Sequence, residues 1–384
     1  MPIFSQAIFL FRCAFRQKPA GWPVRRIRQL IWISCRLFLP LLGAGLLAYM
    51  VFRAGPGAVW KQIQEVGWGL AVIIMLGGLA QLVKTWAWRQ TFTCDIRALS
   101  WSRSFGAQLA SDAVGQFGFP GKLLGEGLRV SMVGATVPLA DGISSSAIDG
   151  GLHTFTAAVV TVLGITATLL LAPLPGSWRV YALLVAAVLI AVVGLGAVAV
   201  ASRWQLMGNA ARAIGRLPWL HKFVTGRLPI IDSAERNLLT FYRENPAAFY
   251  ANLTLNSLWH AMAVLEVYVV LHFMGTRIGV VGACALEGLT KVINLVGVVS
   301  PGNFGTYEGG NVVIASLLGV SGTAGLTLAL CRRARAVFWA AVGAACVAIM
   351  RRGTPVGKFE VKGDDKDLSL HSACIRAASG APCD

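Results

Sequence analysis

Charged residues are scarce in this chain, only 13% of 384. Soluble domains carry about 25%, so this composition excludes an ordinary water-soluble fold. A separate soluble domain is also missing. The longest polar interval between apolar blocks, about 203–246, is too short and too basic to enclose a core. The eight cysteines, at positions 13, 35, 94, 284, 331, 346, 374 and 383, are scattered. They form no C-x-x-C and no His–Cys cluster, which argues against a zinc site, a redox dithiol or a disulfide framework. A signal peptide is not recognisable. The short apolar stretch Ile3–Phe11 has no basic region before it and is cut by Arg12 and Arg16. An amphipathic helix on the cytoplasmic surface suits it better.

Apolar residues make up 56% of the chain, and the mean hydropathy is +0.65. Apolar runs predict six full spans, near 37–52, 68–83, 143–171, 180–201, 249–274 and 326–350. Two further stretches, 104–134 and 278–319, are broken by glycine and proline and read as re-entrant helical hairpins. The expected fold is therefore an all-α polytopic membrane protein with about six spans and two oppositely oriented re-entrant hairpins, an inverted repeat. Segment 1–36 is a basic cytoplasmic N-terminal segment, 37–350 the transmembrane domain with a cytoplasmic loop at 203–246, and 351–384 a disordered cytoplasmic tail.

The net charge of +17 is distributed unevenly. Of the 34 Lys and Arg, 26 fall in four groups: before Leu37, from Lys84 to Arg129, from Arg203 to Arg243, and after Met350. The positive-inside rule puts these on the cytoplasmic face with both termini. Arg53, Lys61, Arg179 and Arg277 fall on the other side. Because the basic residues border spans, anionic lipid headgroups are the expected partner, and nucleic acid is not.

Two broken segments carry a common signature. The first is Pro120-Gly121-Lys122-Leu123-Leu124-Gly125-Glu126, followed by Arg129. The second is Pro301-Gly302-Asn303-Phe304-Gly305-Thr306-Tyr307-Glu308. Each joins a helix breaker, glycines and a carboxylate. Matched broken segments in two halves of a membrane chain point to a transport site.

These two strings and their spacing resemble the flippase-like membrane family that includes the transmembrane domain of lysylphosphatidylglycerol synthases and stand-alone, hopanoid-associated members. The resemblance covers about residues 37–350. It implies movement of lipids or lipid-linked molecules between leaflets of a bacterial cytoplasmic membrane. Lysyl-transferring members carry a soluble catalytic domain after the membrane part. Here about 34 residues follow the last span, so that activity is not expected.

Candidate substrate-binding residues are Glu126, Arg129, Gly302, Gly305, Glu308, Arg332, Arg333 and Arg335. Glu126 and Arg129 are three apart on one helical face. They either hold a zwitterionic or anionic headgroup or form a local salt bridge. Amides after Gly302 and Gly305 suit a phosphate at a half-helix N-terminus. Glu308 then balances a cation, or else partners one of the three arginines. Arg332, Arg333 and Arg335 sit inside an apolar stretch, where each costs about 2.5–3.5 kcal/mol at a helix centre. The alternative is that they lie near the outer interface. The four charged residues of the second half are expected to share one polar cavity. Glu287 and Lys291, four apart, read as mutually neutralising. Lys122 reads as an interfacial snorkelling residue. Asp112, Asp149 and Glu266 are relay carboxylates if transport is proton-coupled, and buried hydrogen-bonded groups otherwise. His153 and His260 are open to the same two readings.

Three functions compete: a lipid transporter, a non-catalytic membrane partner of a lipid-synthesis complex, and a membrane-embedded glycosyl- or acyltransferase. The last wants an acid pair in an external loop, where Glu65 stands alone. No enzymatic activity, metal or cofactor is expected. The substrate is open among phospholipid, hopanoid and polyprenyl-linked sugar, and a homodimer is one option for assembly.

Overall fold

The computed structural model describes residue 52 and residues 56–353, except 117–118, 174, 203–208, 210–211, 214–227, 298–302 and 304. Eleven helices are defined among these residues, and no strand. They are α1 Pro56–Val66, α2 Gly69–Gln90, α3 Trp101–Gly115, α4 Phe119–Val133, α5 Leu139–Leu171 and α6 Gly176–Ala201. After them come α7 Leu228–Glu244, α8 Pro246–Phe273, α9 Val280–Val296, α10 Thr306–Leu317 and α11 Gly322–Gly353.

Helices α2, α5, α6 and α8 contain stretches long and apolar enough to cross a membrane. They coincide with four of the six expected spans. The expected first span, 37–52, lies outside the described residues except for Phe52. The expected sixth is α11, 32 residues long, interrupted by its three arginines. One helix was missed from the sequence. Helix α1 opens on Pro56, a residue suited to a helix start. It ends at Gly67, whose φ of +43° turns the chain directly into α2. Its Val66 packs in the core with Ile73, Val270 and Leu271.

The two halves repeat an order: a span, a pair of short helices, a long helix. The first run is α2, α3–α4, α5, and the second is α8, α9–α10, α11. Helices α3 and α4 have 15 residues each. At about 1.5 Å rise per residue, each reaches about 22 Å, short of a hydrocarbon core of about 30 Å. Within each pair the two helices pack on one another. Gly125 of α4 lies against the Ser111 backbone of α3, and Gly310 of α10 against the Ile293 side chain of α9.

The first break is not where the sequence placed it. Helix α3 stops at Gly115 and α4 starts at Phe119, so Pro120 lies in the first turn of α4. Its missing N–H has no intrahelical partner to lose there. In the second half α9 ends at Val296 and α10 begins at Thr306. Pro301 and Gly302 fall in that interval but lie outside the described residues.

Each long helix also packs on the first short helix of the opposite half. Helix α5 meets α9 where Gly164 and Gly288 face one another, so closely that a Cβ on either would lie 2.5 or 2.6 Å from the other's Cα. Helix α11 meets α3 where Gly343 lies on the Leu109 backbone. Small residues permit such approaches between membrane helices. Within the polar 203–246 interval, α7 lays Phe241 against Ile148 and Leu152 of α5 and Phe249 of α8, as an amphipathic surface helix does.

Candidate functional site

The interior between the two halves holds two clusters of charged side chains. In the first, Asp149 of α5 is 1% exposed and is surrounded from three other helices. Lys84 of α2 places Nζ 3.2 Å from both carboxylate oxygens. Arg129 of α4 approaches Oδ2 with Nη1 at 3.3 Å, and Asn252 of α8 donates to Oδ1 at 3.1 Å. Asn256 Oδ1, one turn on, accepts from Lys84 Nζ at 2.9 Å.

Arg129 is as buried as Asp149. Its guanidinium lies over the Trp88 ring, 4.4 Å from the centroid. It donates to Gln108 Oε1 at 2.8 Å and to Ser146 Oγ at 3.1 Å. Glu126, one turn before it on α4, completes the shell as its ion-pair partner. The expected Glu126–Arg129 pairing therefore forms, though only as part of a wider set. Lys84 and Arg129, counted in the sequence among basic residues of the cytoplasmic face, are interior groups. Lys122 is exposed.

The second cluster is built on α8, α9, α10 and α11. Arg332 donates to Glu287 at 2.7 Å, lies 3.5 Å from Glu266, and reaches the Ala263 carbonyl at 3.1 Å. Its Nη1 donates to the Tyr307 hydroxyl at 3.3 Å. Glu287 also accepts from Lys291 at 2.9 Å. The i,i+4 pair seen in the sequence is thus present, but Glu287 is shared with Arg332. Arg335 pairs with Glu266 at 3.0 Å. Arg333 pairs with Glu308 and donates to the Asn303 carbonyl at 3.2 Å.

Glu308 is fully buried at the start of α10. Its carboxylate accepts the Gly305 N–H at 2.7 Å, and Gly305 adopts φ +77°, the left-handed region that favours glycine. The protein's own carboxylate therefore fills part of the anion position expected at this N-terminus. Arg332 and Arg335 share Glu266, Arg333 takes Glu308, and the Tyr307 ring lies 5.7 Å from the Arg333 guanidinium. Gly302 lies outside the described residues. A cavity of about 500 Å³ does open at the turn between α8 and α9, lined by Tyr268, His272, Thr276 and Arg277, but none of its lining residues belongs to either cluster.

An aromatic bridge joins the clusters. His153 Nδ1 sits 3.0 Å from Asn256 Oδ1 of the first cluster. The His153 ring stacks on His260 at 4.8 Å and 23°. Trp259 packs edge-on to both, and its ring lies 5.7 Å from Lys291 Nζ of the second cluster. Lys84, Gln108, Asn252 and Asn256 were not singled out in the sequence. Apart from Gln108–Asp112 and Asn252–Asn256, each four apart on one helical face, their partners lie tens to hundreds of residues away.

The described residues hold no His/Cys/Asp/Glu group able to bind a metal ion. The cysteines among them are free. Cys94, in the loop before α3, has its thiol pushed up by burial and by the nearby Asp141 carboxylate, which disfavours the reactive thiolate.

The fold and its charged interior define a polytopic helical membrane protein whose polar groups are turned inward. Residues 31–343 match the family described as the lysylphosphatidylglycerol synthase TM region, and the chain belongs to that family. No curated protein and no solved structure matches it significantly.

Proposed function

We propose that this protein moves an anionic or zwitterionic lipid, or a lipid-linked molecule, between the leaflets of a bacterial cytoplasmic membrane, without covalent chemistry. The observation that carries the proposal is the pair of buried charge clusters joined through His153, His260 and Trp259. Ionisable side chains inside membrane helices are costly and mark substrate pathways. A headgroup can follow this track while its tails stay among the apolar outer faces of α5 and α6. Family membership supports a lipid-related role.

In this reading the two short-helix pairs are re-entrant hairpins that enter from opposite faces. Both termini and the 203–246 interval are cytoplasmic. The matched order of the two halves and the grouping of basic residues support that topology.

The test is reconstitution into liposomes carrying headgroup-labelled phospholipid in both leaflets, followed by an impermeant quencher. The expected result is exchange that exposes the protected inner pool. A protein that leaves that pool protected, with phospholipid, hopanoid and polyprenyl-linked probes alike, would instead be a non-catalytic partner.

A further inference from the structure

Asp112, on α3 near the break between the first two short helices, differs from the other carboxylates of the interior. Asp149, Glu266, Glu287 and Glu308 each contact an arginine or lysine. Among the described residues no salt bridge reaches Asp112. Its partners are two amides: Gln108 Nε2 of α3, which donates to Oδ1 at 3.1 Å, and Gln81 of α2. Asp112 lies eleven residues beyond Trp101, about 17 Å along the helix.

Charge balance makes the difference consequential. The charged groups acting on Asp112 are Lys84 from α2 and Arg129 from α4, themselves paired with Asp149 of α5 and Glu126 of α4; Arg335 of α11 is held by Glu266. Lys84 and Arg129 are matched by Glu126 and Asp149, two cations and two anions. An ionised Asp112 leaves the cluster one negative charge in excess, in surroundings that penalise uncompensated charge. A protonated Asp112 leaves it neutral.

A second, independent observation concerns Gln81. Its Oε1 is buried without a donor among the described residues. The oxygen and nitrogen of an amide are assigned from hydrogen bonding. As placed, the amide donates to an ionised Asp112; turned over, it accepts from a carboxylic O–H, so one side chain can serve both protonation states. Arg129 Nε is likewise buried without a partner.

We infer that Asp112 is a proton-binding site coupled to an anionic phosphate headgroup at Arg129. The carboxylate takes one proton from a hydronium ion: an O–H bond of the hydronium breaks, an O–H bond forms on Asp112, and a water molecule is left. In the ionised state Asp112 adds a negative charge beside Arg129 and opposes a phosphate. In the protonated state the four remaining charges balance, and a phosphate oxygen can approach Arg129 Nε. Lipid and proton then travel in the same direction. The inference rests on the lipid-transport reading for its consequence, though not for the proton site itself.

Difference infrared spectroscopy of the purified full chain across a pH titration tests the proton site without any lipid movement. The expected result is a carboxylic C=O band that appears on acidification and is lost in Asp112→Asn. Identical spectra for the two proteins overturn the site. If Asp112→Asn does not fold, Asp112→Glu must shift the band in frequency, and an unshifted band overturns it equally. In liposomes, an imposed pH gradient should raise the rate of phospholipid transfer about tenfold in the wild type and leave Asp112→Asn unaffected. Equal acceleration in both overturns the coupling. Absence of transfer under every condition overturns the transport reading, while the infrared titration still decides the proton site.

Discussion

Asp149 and Arg332 stand at the same step of two equivalent helices and carry opposite charge. Asp149 lies ten residues after the start of α5, and Arg332 ten after the start of α11. Each is met by an oppositely charged residue from the span that opens its half, Lys84 of α2 or Glu266 of α8. The repeat thus conserves the placement of an interior ion pair and inverts its sign. The first half does not close its cluster alone. Asn252 and Asn256 of the second half close the first cluster, and α5 and α9 meet at Gly164 and Gly288.

That arrangement makes single substitutions at Asp149 severe. Asp149→Leu leaves Lys84 and Arg129 short of an anion and should cost about 3–5 kcal/mol. Lys84→Met should cost a similar amount. The double variant should be more stable than the sum of the two losses, by about 0.5–3 kcal/mol. Thermal unfolding in detergent of the four proteins measures this, and strict additivity would contradict the pairing.

Glu308 has two jobs that substitution can separate. Glu308→Gln removes the charge opposite Arg333 and keeps an oxygen for the Gly305 N–H. Glu308→Ala removes both. The Ala variant should be less stable than the Gln variant by about 1 kcal/mol, the worth of a helix cap. Equal melting temperatures would remove the capping role.

The Gly164–Gly288 crossing has no room for side chains. Gly164→Leu should drive α5 from α9 and destabilise the protein by about 1–3 kcal/mol or more. Gly194→Leu on α6, where an added Cβ meets nothing within 4 Å, is the control and should be neutral. A neutral Gly164→Leu would show that the two halves do not meet there.

Topology is testable at exposed positions. Thr240→Cys on α7 should react with a maleimide only after the membrane is permeabilised, and Gly176→Cys should react in intact cells. Labelling of Thr240→Cys in intact cells would invert the orientation assigned from the basic residues.

The sequence showed most plainly what is local. Four spans were legible from their apolar runs, and the pairs Glu126–Arg129 and Glu287–Lys291 from helical spacing alone. Pro120 misled, because a proline in a first helical turn and a proline that interrupts a helix look alike in one dimension. Lys84 was read as a border residue, since a lysine four residues from Trp88 at the end of a span resembles an interfacial anchor. Its partners Asp149 and Asn256 are 65 and 172 positions away. Arg332 was recognisable as a charge out of place, but Glu266 and Glu287, which neutralise it, lie on two other helices. Helix α1 was hidden by its short length and its mixed polar sequence.

The three arginines of α11 should separate by exposure. The Arg332 side chain is 8% exposed and held by Glu266 and Glu287, whereas Arg333, paired with Glu308, and Arg335, paired with Glu266, are 23% and 26% exposed. On the lipid-transport reading, a headgroup phosphate is expected at the latter two, which are the more exposed. Replacing all three by alanine is a poor test, because it strips Glu266 and Glu308 of their arginines, leaves Glu287 with Lys291 alone, and should prevent folding. Lysine is the informative substitution, since it keeps the charge and loses the planar two-pronged donor set. Arg333→Lys and Arg335→Lys should lower phospholipid transfer about tenfold, the equivalent of about 1.4 kcal/mol, with nearly unchanged melting temperature. Arg332→Lys should lower the melting temperature, because one ammonium cannot serve Glu287, Glu266, Tyr307 and the Ala263 carbonyl together. Wild-type transfer by a folded Arg333→Lys/Arg335→Lys double variant would make these arginines part of the scaffold, and leave Arg129 of the first cluster as the one phosphate contact on the path.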